Sequence, residues 1–96
     1  MYKGLMMYDE ELAKNVPPHT LDSLMRYVEE GCPPGDFLRA LLSNDLRESF
    51  GRADLTNRYS LFDIVMFLHN CCPSDCWESE ENYRQWIKKF SKTKVN

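Results

Sequence analysis

Thiols and imidazoles are the residues of this chain whose chemistry depends most on spacing. His69, Cys72 and Cys76 fall within eight residues, and Cys32 comes from another helix junction. Together they would supply the four nitrogen and sulfur donors of a tetrahedral zinc site. The spacing argues against that use. There is no Cys-x-x-Cys pair, Cys71 has no place in the set, and Pro73 interrupts it. Thiols packed as small apolar groups at helix ends are the simpler reading. A dithiol redox pair is disfavoured for the same lack of spacing. His19, beside Pro17 and Pro18, and His69 are the available bases. Neither has a nucleophile elbow to serve, so no catalytic residue and no cofactor is expected.

A second constellation gathers around one junction. Asn44, Asp45, Arg47, Arg52, Asp54 and Arg58 crowd it, with Arg39, Ser43 and Asn57 close by in sequence. Arginine forks suit carboxylate or phosphate, and a helix beginning after Asp54 would offer free amides to an anion. The competing reading is structural: Asp54 caps its own helix, Arg52 or Arg47 pairs with Asp45 or Asp54, and Asn44 serves a helix break. Aromatics supply another route to binding. Tyr2, Tyr8, Tyr27, Trp77 and Tyr83 exceed what so small a bundle must bury, and such residues anchor protein interfaces.

The elements that position these residues follow from apolar spacing. Leu21, Leu24, Met25 and Val28 recur at i, i+3, i+4, i+7, with Thr20 as the expected N-cap and Gly31 as a left-handed terminator. After the Cys32-Pro33-Pro34 elbow, Phe37, Leu38, Leu41, Leu42, Leu46 and Phe50 predict a second helix over 34–50, stopped by Gly51. Ser43-Asn44-Asp45 inside it predicts a kink or a new N-cap at Ser43. The stretch 55–70, apolar from Leu61 to Leu68 except for Asp63, predicts a central helix buried on nearly all sides. Ser74 to Trp77 reads as one turn. Ser79 then caps a last helix carrying Tyr83, Trp86, Ile87 and Phe90. No strand pattern is present, so the expected fold is all-α: about four main helices around the central one, in a single domain over 16–91. Residues 1–15 read as an N-terminal arm, flexible or interface-forming, and 92–96 as a basic frayed tail.

Size and charge narrow the function classes. A chain of 96 residues, 43% hydrophobic and 28% charged, can fold without disulfides. The net charge of −3 disfavours a duplex-binding protein. It is divided as −4 over residues 1–50 (five basic, nine acidic) and +1 over 51–96 (seven basic, six acidic). No apolar run is long enough to span a bilayer, and the start is a poor signal peptide. A cytosolic protein with reduced thiols is expected.

The segments VPPHTL at 16–21, GCPPGDFL at 31–38, SNDL at 43–46, FGRAD at 50–54, and Cys76-Trp77 followed by Ser79 and Glu81 resemble a family of small helical accessory proteins of bacteriophages and prophages. The resemblance covers about residues 16–90 and carries over Asn44, Asp45, Gly51, Arg52, Ala53 and Asp54. Residues 1–15, Cys32, Cys71 and Cys72 fall outside its pattern. It implies a viral protein in the bacterial host cytoplasm that works without catalysis. The expected role is a binding protein that inhibits or modulates a host factor, as in antiviral defence, meeting a host protein through its aromatics and the Asn44 to Asp54 junction. Two alternatives stand beside it. One is sequestration of a small anionic ligand such as a nucleotide at Arg47, Arg52 and the helix end. The other is a structural role through homo-oligomers formed by the arm.

Overall fold

The computed structural model describes residues 9–94, with side chains through Ser91. The fold is all-α. Seven helices and one 3-10 turn follow each other among the described residues: α1 (Glu10–Lys14), α2 (Pro18–Glu30), α3 (Asp36–Leu42), α4 (Leu46–Arg52), α5 (Leu55–Tyr59), α6 (Leu61–Cys71), the turn Ser74–Cys76, and α7 (Glu80–Lys94). The expectation of about four main helices is corrected by two breaks and one added helix.

The first break divides the predicted helix over 34–50. Asn44 adopts φ 64°, and the Asp45 amide donates to the Ala40 carbonyl at 2.9 Å, which ends α3 in a left-handed cap. Asparagine tolerates that conformation better than most residues because it has a short polar side chain. Asp45, rather than Ser43, then caps α4, accepting from the Glu48 amide at 3.1 Å. Gly51 does not stop this helix, which runs on to Arg52.

The second break divides the predicted central helix at Ser60, leaving α5 and α6 as separate pieces. On α6, Ile64, Phe67, Leu68 and Cys71 are buried at i, i+3, i+4, i+7. Phe62 is exposed, and Val65 and Met66 are half-buried. The expected post is therefore packed along one side. A domain this small has too few neighbouring elements to surround a helix completely.

Helix α2 contributes Leu24, Met25, Tyr27 and Val28 to the same core. It starts at Pro18, whose missing N–H costs nothing in a first turn. Thr20 is consequently inside the helix and not at its cap. Gly31 ends α2 at φ 69°, and a Cβ there would meet the Cβ of Phe90 at 2.5 Å. The site therefore requires glycine twice over, for conformation and for space.

Aromatic side chains join α2 to α7. Tyr27 and Tyr83 stack at 5.5 Å, and Trp86 meets Phe90 edge-on at 5.7 Å. The Tyr27 hydroxyl donates to the Cys76 carbonyl at 2.6 Å, and Trp86 Nε1 donates to the Tyr27 carbonyl at 3.0 Å. Tyr27 and Tyr83, expected on the surface, are thus core residues, because the polar tip of Tyr27 finds a buried partner. Helix α1 packs against α6, with Asp9 capping it and Ala13 buried, so residues 9–15 belong to the body.

Candidate functional site

The Asn44 to Asp54 junction is built mostly from internal obligations. Asn44 terminates α3 and Asp45 caps α4. Asp54 caps α5, accepting from the Asn57 amide at 2.8 Å, and its second oxygen lies 3.5 Å from His19 Nε2. The side chain of Asn57 is buried and accepts a hydrogen bond from Thr20 Oγ1, tying α5 to α2. The expected pairing of Arg52 or Arg47 with Asp45 or Asp54 is corrected: Arg52 takes other partners, and Arg47 is in no ion pair among the described residues. Arg52 binds Glu48 at 2.8 Å one turn back and reaches Asp36 on α3 at 3.6 Å. The i, i+4 spacing of Glu48 and Arg52 explains the choice, since those positions are neighbours on a helix surface.

Two shallow hollows flank Arg52. One, of about 210 Å³, is lined by Asp36, Asp45, Glu48 and Glu80 together with Arg39 and Arg52, so carboxylates outnumber guanidinium groups. The other, of about 230 Å³, lies beside His19, Asp54 and Asn57. Arg52, which lines both, is held by Glu48 and Asp36, and the exposed Arg39 of the first stands among four carboxylates.

Compared with known proteins, the chain matches no family model, no curated sequence and no solved structure.

What the junction does position is an apolar face on its other flank. Leu46 and Phe50 on α4, Leu55 and Tyr59 on α5, and Phe62 at the start of α6 are 67%, 51%, 62%, 81% and 75% exposed. Each pair at i, i+4 shares one side of its short helix. Leu55 and Tyr59 lie nearly opposite the buried Asn57 and so point away from the body. Arg58 bridges the two helices: its guanidinium carbon is 5.4 Å from the centre of the Phe50 ring, and its Nη2 donates to the Ala53 carbonyl at 3.3 Å. Arg58 therefore ties the α4 part of this row to α5, and Phe62 follows three residues after Tyr59 at the start of α6. Large exposed apolar patches on small proteins mark interaction surfaces.

The other sequence-predicted residues are distributed as follows. Arg47 and Arg58 are exposed beside the apolar row. Trp77 is half-buried against the core, its carbonyl accepting from Asn82 Nδ2 at 2.8 Å, so it belongs to the connection before α7. Tyr2 and Tyr8 lie outside the described residues, as do the side chains of Lys92 and Lys94. Cys71, Cys72 and Cys76 are buried, Cys32 is half-buried and His69 is exposed. A hydrogen bond with Cys76 and burial push the Cys72 thiol well up, the signature of an inert packing thiol. Among the described residues no three His, Cys, Asp or Glu side chains converge as a metal site would require. No helix among them is long and apolar enough to cross a membrane.

Sequence reasoning assigned Leu46, Phe50, Leu55 and Phe62 to the core and gave Tyr59 no role. For Leu46 and Phe50 the signal is the Ser43-Asn44-Asp45 break, which releases α4 from the register of α3.

Proposed function

We propose that this chain is a non-enzymatic binding protein that engages a partner protein through the face from Leu46 to Phe62. The exposed row of five large apolar side chains carries the reading. Covering one Leu or Phe side chain contributes about 1.5–3 kcal/mol before association costs. A few such anchors dominate the energetics of protein interfaces. The resemblance of residues 16–90 to small phage accessory proteins supplies the setting, in which the partner is a bacterial host factor that the protein inhibits or modulates. Sequestration of an anion at Arg47 and Arg52 is the weaker reading, because Arg52 is already engaged by Glu48 and Asp36.

Affinity capture from a bacterial host lysate tests the proposal. Wild type is expected to retain a specific protein that the Phe50→Ser/Phe62→Ser variant loses by about tenfold or more, an energy of about 1.4 kcal/mol. Arg52→Ala, on the flank of α4 away from Phe50, is expected to retain it. Equal recovery by wild type and the Phe50→Ser/Phe62→Ser variant would move the contact elsewhere.

A further inference from the structure

Resting on the reading of this face as a docking surface, we propose that its occupant is an acidic amphipathic helix of another protein. Two arginines stand beside the apolar row. Arg58 sits over Phe50, and Arg47 follows Leu46 one step around α4 on the solvent side of Phe50. Among the described residues neither guanidinium takes part in an ion pair. The carboxylates of the same segment are turned to other duties. Asp45 caps α4, Glu48 holds Arg52 on the opposite flank, and Asp54 caps α5 and meets His19. Asp63, half-buried, follows Phe62 at the α6 end. A protein of net charge −3 thus presents an apolar row beside two arginines that have no carboxylate partner among the described residues. The complementary surface is apolar with carboxylates at its edge.

The form of that surface follows from the row itself. Leu46 with Phe50, and Leu55 with Tyr59, are i, i+4 ridges, and ridges of this kind receive the apolar stripe of a helix. A second copy is a poorer occupant. A two-fold contact through this face would bring two arginines from each copy into one interface, with Asp63 of each copy as the half-buried carboxylate beside them. Two cations are also few for a nucleic-acid backbone, where each neutralised phosphate contributes separately. A membrane-surface helix would be longer and richer in lysine and arginine than these short pieces.

The test is selection from a displayed library of amphipathic helical peptides with a fixed Leu/Phe face and polar positions drawn from Asp, Glu, Lys, Arg, Ser and Gln. Enriched clones are expected to be net negative and to bind Arg47→Glu/Arg58→Glu about tenfold more weakly than wild type. Clones with their carboxylates exchanged for lysine are expected to recover binding to that variant. Enrichment of neutral or basic clones, or acidic clones indifferent to Arg47→Glu/Arg58→Glu, would overturn the acidic partner and leave the docking face standing. If no clone prefers wild type over Phe50→Ser/Phe62→Ser, the docking face falls with it. Sedimentation with vesicles of equal parts phosphatidylcholine and phosphatidylserine, in the absence of any enriched peptide, would overturn the proposal in favour of a lipid surface. Circular dichroism of each variant confirms that the helices are retained.

Discussion

Two groups of aromatic side chains in this protein meet opposite fates. Tyr27, Tyr83 and Trp86 are buried between α2 and α7, whereas Phe50, Tyr59 and Phe62 stand in solvent on α4, α5 and α6. Residue type does not separate them, since each group contains tyrosine. Backbone partners and helix register do. The Tyr27 hydroxyl and the Trp86 indole reach carbonyls at helix ends, which satisfies their polar tips. The outer group lies on the short helices delimited by two breaks, at Asn44 and Ser60. A small domain that exposes such a row while filling its core with equally large residues has material for binding that it does not spend on folding.

Substitutions sharpen this contrast, and the largest effect belongs inside. Trp86→Ala removes a buried ring and the donor to the Tyr27 and Val28 carbonyls. It is expected to cost about 3–5 kcal/mol in denaturant unfolding. A cost under about 1 kcal/mol would show that the inner group does not hold α2 to α7. Gly31→Ala forces a side chain into a left-handed position against Phe90 and is expected to cost about 2–4 kcal/mol by the same assay. Thr20→Val leaves the buried Asn57 oxygen without its donor, for an expected loss of about 1–3 kcal/mol. If Thr20→Val proved neutral, the α2 to α5 link would have to be made by packing alone.

Alkaline pH probes the inner group as a whole. Burial raises Tyr27 and Tyr83, and hydrogen bonding with Cys76 together with burial raises Cys72. In the unfolded chain thiols ionise near about pH 8.5 and phenols near about pH 10. Below about pH 8 both states keep these protons and stability does not respond to them. Above it the unfolded chain releases protons that the folded protein retains, so stability falls. The limit is about 1.4 kcal/mol per pH unit for each group, as thermal unfolding across pH 7 to 11 would record. A rise in melting temperature over that range would contradict the burial of these groups.

Much of the inner group was legible in the residues. The spacings of Leu21, Leu24, Met25 and Val28, and of Tyr83, Trp86, Ile87 and Phe90, each predict a helix with one buried side, and both helices are present. The caps at Gly31, Asp54 and Ser79 are local hydrogen-bond chemistry and were legible for that reason. The outer face was not. Leu46 and Phe50 continue the apolar stripe of Phe37 to Leu42 in steps of four, so the pattern alone carries them into the core. What turns them outward is one left-handed residue, Asn44, whose conformation is fixed by the Asp45 amide reaching back to Ala40. Likewise the run from Leu61 to Leu68 states hydrophobicity but not how many neighbours exist to cover it.

The central claim, that the outer row serves contact with another protein and not the fold, is tested most directly by the thermal unfolding of Tyr59→Ser/Phe62→Ser. Exposed substitutions of this kind change stability by about 0.5 kcal/mol or less each, so the two together are expected to lower the melting temperature by no more than about 4–8 °C for a domain this size. A fall of about 15 °C or more would mean that these side chains hold the helices together, and the docking face would have to be abandoned.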